Sequence, residues 1–150
     1  MLKKIKQNLS LCFPADVKNM IPHEETMRFV DSIEYLTDKG VHVSFKVPSN
    51  SPFIDKKGYI DELTFLEMTA QAMAVHAWFT DNTTSCKPLK GLLLGCKNFK
   101  INGYAEKGDV LIIKAFEQIA LGNFSIIHGT VYKDDILLAS GEIKIWEESK

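Results

Sequence analysis

The sequence has few cysteines, and their arrangement restricts the class of protein. Its 150 residues include only three, Cys12, Cys86 and Cys96, without the C-x-x-C spacing of zinc or redox sites. An odd number of cysteines argues against a disulfide framework, so we predict reduced thiols in a cytoplasmic protein. No metal site is expected.

Net charge and long apolar runs are also lacking. Eighteen Lys and Arg face nineteen Asp and Glu, and the resulting net charge of -1 gives no field that attracts nucleic acid or an anionic membrane. The apolar stretch from Leu9 to Phe13 is too short for a signal peptide and is broken by Ser10 and Pro14. No segment approaches the roughly 18 apolar residues of a spanning helix. We therefore expect a soluble protein with neither nucleic-acid nor membrane partners.

What the sequence does contain is typical of one compact domain. Hydrophobic residues make up 45% and charged residues 25% of the chain, close to the averages for soluble globular proteins. A chain of this length can bury a substantial apolar core. We predict a single domain over residues 1–150.

Alternating apolar residues predict strands on both sides of the middle of the chain. Val41, Val43, Phe45 and Val47 alternate with polar residues after the turn signal at 37–40, which predicts two strands between residues 27 and 47. Four more apolar stretches are separated by short turn signals, which favours antiparallel pairing. These stretches are 91–101, 110–120, 124–133 and 136–146.

One long helix is predicted between the two groups of strands. Residues 62–79 contain no Gly or Pro and are rich in Ala, Leu and Met, and Asp61 is a suitable N-cap. Apolar residues occupy nearly every side of this helix, so it should be buried all round. In a short chain a sheet wrapped around the helix achieves this best, which predicts an α+β fold.

Glu67 is an unusual residue for the middle of this apolar helix. A buried carboxylate without partners takes up a proton or lowers stability, and the protonated form is an acid near neutral pH. Two interpretations are open. Glu67 is a functional acid, or it is a structural residue that reaches a backbone amide or solvent.

His23 is the second candidate, because an imidazole transfers protons near pH 7. It follows Pro22, whose ring fixes the preceding backbone. An ordinary surface histidine is the more common alternative for a residue in such a loop.

Three groups of residues resemble the 3-hydroxyacyl-(acyl carrier protein) dehydratases. The segment 21–31, IPHEETMRFVD, resembles their L-P-H-x-x-x-[ML]-x-x-[VL]-D opening, and EMTAQA at 67–72 is similar to their E-x-M-A-Q-A helix. LGCKNF at 94–99, KGDVL at 107–111 and LASGE at 138–142 follow in the same order. The H-F-P-x-x-P-x-x-P-G loop of the housekeeping fatty-acid enzymes is missing, and 51–59 instead resembles the branch found in aryl-polyene pathways.

The resemblance implies a hot-dog fold, in which a curved antiparallel sheet of five to six strands wraps around one central helix. It also implies a homodimer, or a complex with a related subunit, in which His23 of one subunit meets Glu67 of the other. The substrate would be a 3-hydroxyacyl chain on the phosphopantetheine of acyl carrier protein, with no further cofactor. Neutral His23 would remove the C2 proton, and protonated Glu67 would protonate the departing C3 hydroxyl.

Other residues are expected to bind the substrate or to support the site. A free amide of Gly58, Leu63 or Thr64 would polarise the thioester carbonyl at the helix start. Gln71 would orient Glu67 or a nearby loop, and plain packing is its alternative. His76 and Asp31 are expected to be structural.

Two functions compete with dehydration. A hot-dog thioesterase would use Glu67 to activate water and would not need His23. A non-catalytic acyl-binding domain would need neither residue. The fold alone cannot decide between these functions.

Overall fold

The computed structural model describes residues 13–80 and 91–148. Of the three cysteines, Cys96 is free and exposed, whereas Cys12 and Cys86 lie outside the described residues. Most of the N-terminal stretch from Leu9 to Phe13, considered above as a signal peptide, also lies outside the described residues. No helix in the described part is both long and apolar enough to cross a membrane.

The predicted long helix is confirmed and begins three residues after Asp61. Helix α1 spans Thr64–Thr80. The Asp61 carboxylate accepts the Leu63 N–H at 2.9 Å, and the Asp61 carbonyl accepts the Thr64 N–H at 3.0 Å. These bonds satisfy donors that the first turn leaves without helical partners.

The strands form one antiparallel sheet, which is the predicted α+β architecture. They are β1 (Ala15–Asp16), β2 (Ser32–Leu36), β3 (Gly40–Lys46), β4 (Gly91–Ile101), β5 (Val110–Leu121), β6 (Phe124–Lys133) and β7 (Ile136–Glu147). Their order across the sheet is β1-β2-β3-β5-β6-β7-β4. A short 3₁₀ turn, Glu25–Met27, precedes β2.

The sheet has seven strands within the described residues, one more than the upper end of the predicted range. The additional strand is β1, which pairs with β2 through Ala15 and Ile33. Two residues cannot show a strand alternation, so no sequence pattern predicted it. The other strand positions agree with the prediction.

The concave face of the sheet packs on the helix. Helix α1 contacts β3, β4, β5, β6 and β7. Phe65 and Met68 of the helix are fully buried, together with Ile113, Ile127 and Ile143 of the sheet. The apolar helix therefore supplies the centre of the core, as the sequence predicts.

One close approach sets the position of the helix on the sheet. Thr69 faces Gly129 of β6 so closely that a Cβ atom on Gly129 would collide with the Thr69 side chain. Gly129 itself pairs with Gly141 of β7. The absence of a side chain at Gly129 lets the helix approach the sheet there.

We expect Gly129→Ala to destabilise the fold by about 1–3 kcal/mol, because an added methyl group in a packed core forces neighbouring atoms to move. Urea denaturation followed by circular dichroism measures the change in the free energy of unfolding. Gly95→Ala is the matched control, since a Cβ atom at Gly95 meets nothing within 4 Å. Equal midpoints for the two variants would contradict the proposed helix contact.

Candidate active site

The structure brings together the two residues that the sequence singled out for proton transfer. His23 Nε2 lies 3.3 Å from Glu67 Oε1, and the two side chains are 30% and 31% exposed. The two residues are far apart in sequence and approach each other through the fold. The fold of this single chain is enough to bring them together.

Gln71 holds this pair in place. Its side-chain oxygen accepts the Phe29 N–H at 2.8 Å, and its Nε2 donates to the Met27 carbonyl at 2.8 Å. The same Nε2 donates to Glu67 Oε1 at 2.9 Å. Gln71 is almost fully buried, with 1% exposure, so these bonds are formed away from water. It therefore orients both Glu67 and the segment that carries His23.

The contact between His23 and Glu67 lies within one chain, whereas the resemblance implied a contact between subunits, which stays a prediction. The physical reason for the contact within the chain is the path of the chain before β2. Gln71 binds the backbone at Met27 and Phe29, and Ile21 is buried in the core. These two anchors lay the intervening segment across its own helix.

The pKa of the Glu67 carboxyl is shifted downward, whereas burial alone would raise it. The hydrogen bond with His23 is the largest influence on the Glu67 carboxyl, and it lowers its pKa. Burial acts in the opposite direction, and the hydrogen bond from Gln71 lowers the pKa further. The net shift is downward from 4.5, so the carboxyl is ionised near neutral pH.

The His23 ring has one nitrogen that faces Glu67. Nδ1 is buried and has no hydrogen-bond partner among the described residues. Nε2 is therefore the ring atom placed to exchange a proton with Glu67.

A cavity of about 250 Å³ opens beside the pair. The side chains along its helical wall are Glu67, Ala70, Gln71, Ala74 and Ala77, which follow one another on one face of α1. Because three of these residues are alanines, the helix leaves room for a ligand along this face. The opposite wall comes from β4 and β7, through Gly91, Leu92, Leu93, Ile145 and Glu147.

The three residues predicted to bind the thioester carbonyl do not line this cavity. The amides of Leu63 and Thr64 both donate to Asp61 in the helix cap, and the Leu63 side chain is 64% exposed. Gly58 adopts a positive φ of 92° in a turn, where its N–H donates to the Asp55 carbonyl at 3.0 Å. Capping and turn formation thus use these amides within the chain, and their role in binding the thioester stays a prediction.

The two polar residues predicted to be structural do have structural partners. His76 is buried, and its Nε2 lies 3.1 Å from the Thr37 carbonyl; burial lowers its pKa. The Asp31 carboxylate accepts the Lys46 N–H at 2.8 Å, while burial raises its pKa. Among residues 13–80 and 91–148, no cluster of side chains suitable for holding a metal ion is present.

Sequence reasoning missed most of the cavity wall. The spacing of Glu67, Gln71, Ala74 and Ala77 carried a usable signal, because residues three or four apart share a helix face. The sequence around Glu147 carried no such signal. Its place in the cavity depends on the pairing of β7 with β4, where it lies opposite Gly91.

Comparison with known proteins assigns a family. A family model described as ApeP dehydratase matches residues 15–150. The chain belongs to the ApeP-like dehydratase family. Members of this family are dehydratases, so the chain is assigned to a hydro-lyase family. No curated protein sequence matches the chain.

Solved structures similar to this ApeP-like chain share the hot-dog fold. The dehydratase heterocomplex ApeI:P from Xenorhabdus doucetiae matches with a TM-score of 0.80 and 23% identity, over 93% of this chain and 94% of that one. A hypothetical thioesterase with coenzyme A from Streptococcus pneumoniae matches with a TM-score of 0.63 and 14% identity, over 79% and 88%. An uncharacterized protein from Pyrococcus horikoshii matches with a TM-score of 0.64 and 15% identity, over 93% and 97%.

The lowered pKa of Glu67 predicts a specific pH dependence of stability. A carboxyl whose pKa is lower in the folded state contributes stability above its unfolded value, and this contribution is lost as pH falls from about 4.5 through the lower folded value. We therefore expect Glu67→Gln to reduce the loss of stability as pH falls from 7 to about 3, with most of the difference below 4.5. Urea titrations at a series of pH values measure this loss.

Glu147→Gln is the matched comparison, because burial raises the pKa of Glu147. Its effect on the same pH dependence should have the opposite sign. A steeper loss of stability at low pH in Glu67→Gln than in the unchanged protein would contradict the assignment.

Proposed function

We propose that this protein dehydrates a 3-hydroxyacyl thioester carried on the phosphopantetheine of acyl carrier protein, yielding the trans-2-enoyl thioester. The observation that carries the proposal is the 3.3 Å contact between His23 and Glu67, two residues that line a cavity of about 250 Å³. Elimination of water needs one group to remove the C2 proton and another to protonate the C3 hydroxyl. The proposed chemistry takes place in the cytoplasm.

In this proposal His23 is the base and Glu67 is the acid. Glu67 is ionised in the free protein, so it must take up a proton when the substrate enters. An acyl chain in the cavity displaces water from the carboxyl, and loss of water is the influence that raises the Glu67 pKa. Substrate binding thus favours the protonated form that the reaction needs.

Gln71 acts as a positioning residue. It holds the Glu67 carboxylate by one hydrogen bond and the His23 segment by two. With both sides fixed, the distance between acid and base is set before the substrate arrives, which lowers the entropic cost of the reaction.

The partners proposed for this chain are acyl carrier protein and a second hot-dog subunit. Strand β4 is an edge of the sheet, and its Leu92, Leu93 and Leu94 are 58%, 40% and 49% exposed. An exposed apolar edge strand is a template for pairing with another chain. We propose that a second copy, or a related subunit, covers this edge.

Light scattering tests this partnership. We expect the purified chain to have twice its mass of 16.9 kDa, and Leu94→Lys to shift it toward the monomer. Leu121→Lys is the control, because Leu121 is 76% exposed but lies on β5, away from that edge. A monomeric wild-type chain would contradict the homodimer and leave the related subunit as the partner to assay.

Replacement of His23 or Glu67 tests the reaction. We expect His23→Ala and Glu67→Gln each to slow enoyl formation from 3-hydroxyacyl carrier protein by about 10²–10⁴-fold, with the fold retained by circular dichroism. His42→Ala is the control, since His42 lies on β3 and not in the cavity. The assay also follows free thiol, because thiol release without enoyl product would identify a thioesterase.

Exchange in heavy water separates the two roles. With the acid removed, Glu67→Gln should still incorporate deuterium at C2 of recovered substrate, because His23 can remove that proton. His23→Ala should not. Deuterium in His23→Ala and none in Glu67→Gln would reverse the roles.

A further inference from the structure

The cavity contains a carboxyl group that the proposed reaction does not use. Glu147 lies on β7 in alternation with Ile143 and Ile145, which face the core. Its side chain lines the same cavity as His23 and Glu67.

The pairing of strands and the position of the helix on the sheet place Glu147 toward the C-terminal part of α1. Thr69 lies over Gly129, which pairs with Gly141. His76, farther along the helix, is close enough to Glu117 for that charge to act on it. Glu117 pairs with Ile127, and Ile127 with Ile143. The helix therefore advances toward the carboxyl end of β7.

The helical wall from the proposed reaction centre to Ala77 is about 15 Å long. Ala77 follows Glu67 by ten residues, and a helix rises about 1.5 Å per residue. Between them the wall carries Ala70 and Ala74. An acyl chain bound along this wall would contact the small apolar side chains first and the Glu147 carboxyl group after them.

The surroundings of the Glu147 carboxyl group determine how it responds to a bound ligand. Among the described residues, no hydrogen bond or ion pair reaches its carboxyl group. Burial raises its pKa, and the nearby Glu117 carboxylate adds to this effect. Glu117, by contrast, accepts a hydrogen bond from Ser125 Oγ at 3.0 Å.

We propose that Glu147 is a specificity-determining residue that discriminates against long unsubstituted alkyl chains. This inference rests on the proposed dehydration of acyl thioesters. Short chains end before Glu147 and leave its carboxyl hydrated. A long alkyl chain places its terminal methyl group against the carboxyl, which removes water without replacing its hydrogen bonds.

A series of substrates tests the proposal. We compare kcat/KM for the 3-hydroxybutanoyl, 3-hydroxyoctanoyl, 3-hydroxydodecanoyl and 3-hydroxyhexadecanoyl thioesters of acyl carrier protein, because about twelve carbons beyond C3 are needed to span the roughly 15 Å of helical wall. The wild-type protein should lose about tenfold or more at the long end of the series, as expected for one unsatisfied polar group. Glu147→Leu should abolish this loss.

Two control variants accompany the series. Glu142→Leu makes the same change on the same strand, at a residue that does not line the cavity, and should keep the wild-type profile. Glu147→Gln keeps a polar group of similar size and should also retain most of the discrimination. The same chain-length profile in Glu147→Leu and the wild type, with both folded, would overturn the proposal. If Glu147→Leu does not fold, Glu147→Ala replaces it. A chain-length profile of Glu147→Ala equal to that of the wild type would then overturn the proposal.

Binding distinguishes failure of this inference from failure of the proposed function. Calorimetry with saturated acyl thioesters of the same lengths reports chain selection without turnover. If no substrate is dehydrated but binding depends on length and on Glu147, the function is wrong and the role of Glu147 stands. If all lengths are dehydrated and bound equally well, the function stands and the role of Glu147 is wrong.

Discussion

The hydrogen bonds of Gln71 are the interaction on which the site depends. One buried amide accepts from the Phe29 backbone and donates both to the Met27 backbone and to Glu67. Because the Phe29 N–H needs an acceptor and the Met27 carbonyl needs a donor, only one orientation of the amide satisfies both. The amide nitrogen therefore points at Glu67. A substitution that leaves these buried groups without partners would cost about 1–3 kcal/mol for each group.

The same constraint joins folding to chemistry. The segment before β2 has little regular structure, with only the two-residue β1 and a 3₁₀ turn. It is held by the burial of Ile21, Phe29 and Val30 and by the backbone bonds to Gln71. His23 lies between these anchors. Its approach to Glu67 within the chain is thus a consequence of how the segment packs on the helix.

The regular elements were predictable because their patterns are local. Alternation identified the long strands, and composition with the Asp61 cap identified the helix, whereas a two-residue strand has no period to detect. The site required more. Apolar neighbours of Glu67 in sequence predicted a raised pKa, but the residue that decides its pKa, His23, becomes a neighbour only in the fold. Likewise, the sequence could not show that the amides of Leu63 and Thr64 are used in the helix cap.

The alanines on the cavity side of the helix affect how the sequences of proteins with this fold can diverge. The cavity exists because Ala70, Ala74 and Ala77 are small, and no rearrangement of the backbone is needed to create it. Each of these positions can accept a larger side chain that fills part of the void while the opposite face of the helix keeps its packing. The space available to a ligand can therefore evolve in single steps, separately from His23 and Glu67.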